Sequence, residues 1–254
     1  MNYTPQELMV VAAARQIQDR ELVFVGMRLP LLAFQLAKVT HAPRAVSLFE
    51  NGLLREAPAR AMIYTMGDLP NQIGATWATG LIDVMALLQR GAVDVGFLGG
   101  AQIDRFGNLN TTWSNVDERK LRLPGSGGAC DIACLAKRVV ILMNHEPRRF
   151  VERVDYITSP GYGSGGAWRR ELGLTGGGPS VLISSKAIFT IDPASKEWVL
   201  HSVHPGVSLD EITQSVGWRL QIAPELRETV PPTAEELSRI RAFDPRGFWT
   251  RRDV

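Results

Sequence analysis

The chain has 254 residues, of which 45% are hydrophobic and 21% charged, and its formal net charge is +2. This length fits one large α/β domain, residues 1–254, or at most two small ones, and the composition is enough to bury a core. The small charge gives no basis for binding nucleic acid or an anionic membrane. No apolar run approaches the roughly 20 residues that a membrane-spanning helix needs.

Helix and strand signals alternate along the chain. The first helix is predicted over residues 5–18, because Thr4 can cap it, Pro5 suits its first turn and Glu7 can close a capping box. Further helices are predicted over residues 31–39, 80–90, 208–216 and 233–241. Buried strands are predicted over residues 22–26, 45–49, 93–98, 138–143 and 181–183.

The predicted strands are uninterrupted apolar runs, which is typical of parallel strands covered on both faces. Their alternation with helices predicts an α/β fold with an open, mainly parallel sheet and helices on both faces. Ligands bind such sheets beyond the carboxyl ends of the strands. Gly26, Glu50 and Gly99 all fall at such ends. The functional site is therefore expected at this edge.

A glycine-rich stretch covers residues 158–179. It could be a linker between two parts of the chain. Because ordinary patterning resumes after it with a predicted strand, a long surface loop is the favoured interpretation.

The two cysteines, Cys130 and Cys134, are four residues apart and would share one face of a helix. No nearby Cys or His completes a metal site, so we predict two buried free thiols and no metal centre. Because no disulfide is indicated, a reducing cytoplasm is the expected location.

Four clusters of residues could carry chemistry. Glu50-Asn51-Gly52 directly follows a buried strand, although Asn-Gly is also a common turn pair and the glutamate could simply face solvent. A glycine run at 125–128 enters a predicted helix, where unpaired N–H groups favour anions. The other two clusters are the glycine pair Gly99-Gly100, with Gln102 and Asn110 beyond it, and the segment Gly26-Met27-Arg28-Leu29-Pro30. The phosphate-loop and dinucleotide fingerprints are both absent.

These clusters resemble the motifs of family I CoA-transferases of the glutaconate type. The family signature Ser-Glu-Asn-Gly followed by aliphatic residues is similar to residues 49–54, with Phe49 in place of the serine. The family's Gly-(Gly/Ala)-x-Gln-(Ile/Val)-Asp segment resembles residues 99–104, and its Gly-x-Gly-Gly-Ala resembles residues 125–129. The resemblance extends to residues 145–150 and 155–161, and the matches span roughly residues 5 to 245 in the same order. It implies the NagB/RpiA-like fold class of these transferases.

The resemblance implies a role for each cluster. Glu50 would take up the acyl group, and Gly127 or Gly128 would donate a backbone hydrogen bond to the thioester oxygen. Oxyanion or CoA binding is also carried to Gly99, Gly100, Gln102 and Asn110, and the substrate pocket to Gly26, Arg28 and Asn51. Arg28 replaces a family glycine: it could bind the carboxylate of an acid substrate, fill the space that a transferase needs, or face solvent.

The implied function is that of the β subunit of a heteromeric transferase, which moves CoA between an acyl-CoA and a free carboxylic acid by a ping-pong mechanism through a glutamyl-CoA thioester. CoA is then a substrate, and no permanently bound cofactor is expected. An α subunit, in an (αβ)₂ or (αβ)₄ assembly, would close the site. Nucleic acid and membrane partners are not expected.

Other functions on the same fold are possible. Relatives that cleave rings as acyl-CoA hydrolases, or that decarboxylate acyl-CoA thioesters, typically lack the nucleophilic glutamate. A non-catalytic subunit that binds CoA or a sugar phosphate is a third interpretation. The acid substrate is left open. Trp77 and Trp113 could line its pocket or belong to the core, and His145 is expected to be structural or to lie at the rim.

Overall fold

The computed structural model describes residues 2–116 and 119–251. The helices are α1 (Pro5–Ala14), α2 (Leu29–Val39), α3 (Leu69–Gln72), α4 (Leu81–Gln89), α5 (Ala129–Leu135), α6 (Trp168–Glu171), α7 (Leu209–Thr213) and α8 (Ala234–Phe243). The strands are β1 (Leu22–Phe24), β2 (Val46–Phe49), β3 (Leu53–Arg55), β4 (Trp77–Ala78), β5 (Val95–Leu98), β6 (Gln102–Ile103), β7 (Leu109–Asn110), β8 (Trp113–Val116), β9 (Arg119–Arg122), β10 (Arg138–Met143), β11 (Pro179–Ser184), β12 (Ala187–Ile191), β13 (Trp198–Val203) and β14 (Gln221–Glu228).

The chain forms two compact units. The first comprises Met1–Phe97 and Pro231–Val254, and the second comprises Leu98–Val230. Within the described ranges 2–116 and 119–251, no helix combines the length and the apolar character needed to cross a membrane.

The first unit is built on strands in the order β5–β1–β2–β3–β4. β1 pairs in parallel with both β2 and β5, whereas β3 and β4 add to the sheet as antiparallel strands. α1 packs against α2 and α8, and nine of its ten residues are buried. The largest side chains fully buried in this unit are those of Phe24, Phe34 and Phe49. Burial of whole apolar runs on β1 and β2 explains why these strands show no alternation of polar residues.

The helix starts follow from their sequences. Thr4, Ser208 and Thr233 each cap a helix, and each accepts a hydrogen bond from a glutamate three residues on that closes a capping box. The helices they begin are shorter than predicted in two cases, since α1 ends at Ala14 and α7 at Thr213. The ends of α1 and α7 carry none of the glycine or proline signals that fix a boundary in sequence.

The second unit has strands in the order β14–β13–β12–β11–β10. β10 and β11 are parallel, as are β13 and β14, whereas β11–β12 and β12–β13 are antiparallel. β10 occupies its predicted range. The strands β12, β13 and β14 were not predicted, because their burial alternates and so lacks the continuous apolar signal.

The glycine-rich stretch 158–179 is a packed part of the second unit and not a linker. A Cβ at Gly161 would lie 2.3 Å from the carbonyl oxygen of Phe106. Asn108 fixes the stretch, since its Oδ1 accepts hydrogen bonds from the N–H groups of Gly161 (3.0 Å) and Gly163 (3.1 Å). The guanidinium of the buried Arg169 donates to carbonyl oxygens in the same stretch, which fixes the loop from inside.

An apolar surface lies along residues 69–82 of the first unit. Its exposed large side chains are Leu69, Ile73, Trp77, Leu81 and Ile82. β4, which carries Trp77, is the outer strand of this unit's sheet, and both of its residues are exposed. Trp77 therefore does not belong to the core.

Candidate functional site

Glu50 lies at the carboxyl end of β2, in the turn that leads into β3. Phe24 of β1 is in register with Leu48 of β2, so Gly26 and Glu50, each two residues further on, leave the sheet at the same level. Adjacent strands are about 4.8 Å apart, which places these two residues side by side. Glu50 is half-buried. The predicted position of this carboxylate, at the sheet edge where α/β proteins bind ligands, is therefore found in the structure.

The turn that carries Glu50 is closed by a glycine. Phe49 pairs with Leu53, and the N–H of Gly52 donates to the carbonyl of Phe49 (3.0 Å). Gly52 has φ +99°, and a Cβ there would lie 2.0 Å from the carbonyl oxygen of Thr79. No other residue fits this position without moving the chain. The turn therefore holds the Glu50 backbone in one place.

Asn51 is exposed, and its Nδ2 donates to the carbonyl of Met66 (2.9 Å), so its side chain ties the turn to the segment that follows β3. That segment is held from beneath by Arg55, which is 2% exposed. The Arg55 guanidinium donates to the carbonyls of Ala57, Pro58, Asn71 and Ile73, the last at 2.9 Å. Asn51 thus has an observed positioning contact, while its place in a substrate pocket stays a prediction.

Gly26 and Arg28 follow β1. A Cβ at Gly26 would lie 3.1 Å from the carbonyl oxygen of Phe97, so the chain passes closely here. Arg28 has φ 72° and ψ −124°, a conformation that side chains other than glycine rarely adopt. Arg28 is exposed, and its guanidinium carbon lies 5.7 Å from the centre of the Trp249 ring. The structure therefore places an arginine in a glycine-like conformation beside the turn of Glu50.

The predicted residues of the second unit form a separate group. A Cβ at Gly99 would lie 3.1 Å from the carbonyl oxygen of Leu142, at the carboxyl end of β10. Gln102 and Asn110 lie in register on the β6–β7 pair and are both buried. Gly100 packs against the Leu109 side chain, where a Cβ would approach to 3.0 Å. These glycines occupy a close-packed strand end, as predicted.

The amide of Gln102 is engaged on both sides. Its Nε2 donates to Asp155 Oδ2 (2.9 Å), and its Oε1 accepts from Asn110 Nδ2 (2.7 Å) and from the Asp155 N–H (3.1 Å). Asp155 also accepts from Ser114 and Asn115. Burial raises the pKa of Asp155, but these hydrogen bonds outweigh it and hold the pKa below its usual value. A direct contact of Gln102 or Asn110 with CoA stays a prediction, because the observed bonds give both residues a positioning role.

Gly127 and Gly128 precede α5, as the glycine run predicted. Gly127 has φ 48°, and Gly128 is the N-cap residue of the helix. Gly127 is exposed, whereas Gly128 is buried. Neither glycine is distinguished by the geometry as the donor to a thioester oxygen.

Two buried histidines in the second unit serve structure. His145 Nδ1 bonds Ser184 Oγ (2.9 Å), and the His145 ring stacks on Phe150 at 4.2 Å. His204 bonds the Ser184 carbonyl (2.9 Å) and Thr229 Oγ1 (2.9 Å). Burial lowers the pKa of both histidines to about 4. The structural role predicted for His145 is confirmed, and its connection to His204 had no signal in the sequence.

The remaining predictions concern thiols, metals and tryptophans. Cys130 and Cys134 are free and lie on α5, but both are half-buried and not fully enclosed as predicted. Burial raises the pKa of Cys134 to about 11. Trp113 is half-buried, with its ring 6.1 Å from that of Tyr156. In the part of the chain that the structure describes, no group of three or more His, Cys, Asp or Glu side chains could hold a metal ion.

Sequence reasoning assigned no role to three residues that shape these groups: Asp155, Arg55 and Trp249. Asp155 was noted only as part of the stretch 155–161. Arg55 ends a short strand and looks like an ordinary surface arginine in sequence. Trp249 is near the end of the chain, and its contact with Arg28 spans over 200 residues. Nothing in local sequence predicts such a contact.

Comparisons with known proteins agree with this geometry. A family model described as Coenzyme A transferase matches residues 6–215. One of the two subunits of the 3-oxoadipate CoA-transferase of Pseudomonas knackmussii is 40% identical to the chain, over 96% of the chain and 94% of that protein.

Solved structures give the same result. The crystal structure of glutaconate coenzyme A-transferase from Acidaminococcus fermentans superposes with a TM-score of 0.90 at 31% identity, covering 99% of this chain and 98% of that one. The decarboxylase AibA/AibB superposes with a TM-score of 0.83 at 28% identity, covering 97% of both chains. These matches confirm the predicted α/β fold class. The chain belongs to the coenzyme A transferase family, and it is an enzyme of that class.

Proposed function

We propose that the chain is the β subunit of a heteromeric CoA-transferase in which Glu50 carries the acyl group and then CoA as covalent intermediates. The observation that supports this most directly is the position of Glu50: a half-buried carboxylate in a glycine-closed turn, level with Gly26 at the carboxyl ends of two parallel strands. The 40% identical relative is by name one subunit of a larger enzyme, which supports a partner α subunit.

The reaction would proceed by exchange at two carbonyl carbons. A Glu50 carboxylate oxygen attacks the thioester carbon, the C–S bond breaks, and CoA leaves as a thiolate, so that an acyl–glutamyl anhydride remains. The thiolate then attacks the Glu50 carbonyl and displaces the donor acid, which gives a glutamyl-CoA thioester. The acceptor acid reverses these steps, attacking the thioester to form a second anhydride from which the thiolate takes its acyl group. Glu50 is regenerated, and no water is consumed.

The first step needs assistance. A carboxylate near pKa 4.3 displaces a thiolate near pKa 8.5, a gap of about 4 units or roughly 6 kcal/mol. Backbone donors at a developing oxyanion contribute about 3 kcal/mol each, and Gly127 or Gly128 stays our proposed source. The rest would come from binding the remote part of CoA and from exclusion of water, since an exposed anhydride hydrolyses.

Substitution of Glu50 tests the covalent role. We expect Glu50→Gln and Glu50→Ala to abolish transfer in the co-expressed αβ complex, because neither side chain is an adequate nucleophile for a thioester. Glu56→Gln is the matched control, since Glu56 is an exposed carboxylate six residues further on and lies outside the proposed site. Near-normal transfer by either Glu50 variant in a folded complex would rule out the mechanism.

Chemical trapping gives an independent readout. Wild-type complex preincubated with an acyl-CoA should be inactivated by hydroxylamine or borohydride, and mass spectrometry should locate the modification on Glu50. Complex treated without acyl-CoA should keep its activity. Modification elsewhere, or none, would contradict a glutamyl-CoA intermediate.

A decarboxylase is the second candidate, because the decarboxylase AibA/AibB shares the fold at 28% identity. Decarboxylation releases CO₂ from one acyl-CoA and needs no acceptor acid. Absence of CO₂ release, together with transfer that depends on a second carboxylic acid, would exclude it.

A further inference from the structure

Arg28 lies within reach of the proposed acyl carrier. Gly26 and Glu50 leave the sheet level with each other, and Arg28 is two residues beyond Gly26. Neighbouring strands are about 4.8 Å apart, so a long side chain at position 28 can extend over the space in front of the Glu50 turn. Arg28 is exposed, so its side chain can contact a small molecule there.

The backbone at Arg28 is costly for an arginine. With φ 72° and ψ −124°, it lies outside the left-handed helical region that Asn or Asp tolerate, in a part of conformational space used almost only by glycine. Such conformations cost about 1–3 kcal/mol and concentrate at functional sites. A glycine would meet the backbone requirement without this cost. The side chain of Arg28 therefore needs an explanation beyond the fold.

The arginine head is also held in position. Its guanidinium lies 5.7 Å from the centre of the Trp249 ring, which is within the range of a cation–π contact. Trp249 is itself fixed, because its Nε1 donates to the Ile63 carbonyl (3.2 Å) and its N–H donates to Asp244 (2.9 Å). A guanidinium stacked on an aromatic face keeps its edge available for planar, bidentate recognition of a carboxylate.

We infer that Arg28 binds the distal carboxylate of a dicarboxylic acid whose other carboxyl carbon is the one transferred through Glu50. This inference rests on the function proposed above and adds the substrate class to it. The names of two relatives, a 3-oxoadipate and a glutaconate CoA-transferase, denote acids with two carboxyl groups. The fixed guanidinium selects such acids over monocarboxylic acids of the same length, because only a second carboxylate can pair with it.

Acceptor selectivity tests the assignment. Transfer by the co-expressed αβ complex is measured with glutarate and adipate and with their monocarboxylic counterparts pentanoate and hexanoate. For Arg28→Met, the ratio of kcat/KM for di- over monocarboxylic acids should fall about 10- to 100-fold, as expected for one charge-assisted interaction. Arg28→Lys should restore part of the ratio, because the positive charge remains while the bidentate geometry is lost.

Arg60→Met is the matched control, since Arg60 is another exposed arginine of the same unit and lies outside the proposed site. It should leave the ratio unchanged. An unchanged ratio in Arg28→Met, or an equal loss for both acid classes, would overturn the role of Arg28. Trapping on Glu50 separates the two proposals: a wild-type complex that forms the glutamyl adduct while Arg28→Met keeps its selectivity would refute only the specificity role. A wild-type complex that forms no adduct would refute the transfer mechanism itself.

Discussion

At the scale of single residues, the region around Glu50 combines one position that only glycine fits with one that glycine would fit better. Gly52 cannot gain a Cβ, because it would overlap the carbonyl of Thr79 at 2.0 Å. Arg28 does carry a Cβ in a conformation that disfavours one. The first position reports the demands of the turn. The second reports a demand that the backbone alone does not make.

The cost at position 28 can be measured. We expect Arg28→Gly to raise the free energy of unfolding by about 1 kcal/mol, because removal of the Cβ relieves the strained conformation and outweighs the added flexibility of glycine. Arg60→Gly, at an ordinary exposed position, should give no gain. Denaturant unfolding of the purified complex checks both. A loss of stability in Arg28→Gly would show that the arginine stabilises the fold through its contacts.

At the scale of elements, the glycine-rich stretch 158–179 shows how a flexible composition becomes a fixed structure. Asn108 Oδ1 accepts from two glycine N–H groups, and its Nδ2 donates to the Gly163 carbonyl (2.8 Å) and to Asp104. Burial raises the pKa of Asp104, although hydrogen bonds from Asn108 and Phe106 oppose the shift. One amide thus substitutes for the sheet pairing that the stretch lacks.

Removing this amide should loosen the stretch. Asn108→Ala would leave buried N–H groups at Gly161 and Gly163 without their acceptor, at a cost of about 1–3 kcal/mol for each unsatisfied group. We expect a lower free energy of unfolding and new protease cleavage within residues 158–179. Ser164→Ala, at an exposed position of the same stretch, should change neither quantity. Protection from proteolysis in Asn108→Ala would show that other contacts, such as those of Arg169, suffice.

The elements that sequence predicted best are those with a strong local signal. β1, β2, β5 and β10 were identified from continuous apolar runs, and the helix starts at Thr4, Ser208 and Thr233 from their caps. β12 and β13 were missed because antiparallel strands with one exposed face give weaker runs. The positions of Glu50 and Gly26 followed from strand ends. The Arg28–Trp249 contact and the Gln102–Asp155 pairing depend on tertiary packing, and no local pattern encodes them.

At the scale of the whole molecule, buried titratable groups make stability depend on pH. The pKa values of His145 and His204 are lowered to about 4, so the folded chain keeps both rings neutral while the unfolded chain binds protons below about pH 6.5. Stability is therefore complete above about pH 6.5 and is lost as the pH falls toward 4. The loss is of the order of 3 kcal/mol per histidine.

Acid unfolding of His variants checks this dependence. We expect His204→Gln to flatten the decline in the free energy of unfolding between pH 6.5 and 4, because one proton-binding group is removed. His201→Gln changes an exposed histidine on the same strand and should leave the slope as in the wild type. A slope unaffected by His204→Gln would place the acid sensitivity on other groups.

The outer strand β4 has a practical consequence. Its backbone can accept another strand along its free side, and the neighbouring apolar side chains of residues 69–82 offer no charge to discourage such pairing. A chain produced without a protein to cover this margin presents a template for self-association. Handling the protein therefore calls for production together with its cognate partner, and insoluble material from the single chain would report this bare margin and not a failure to fold.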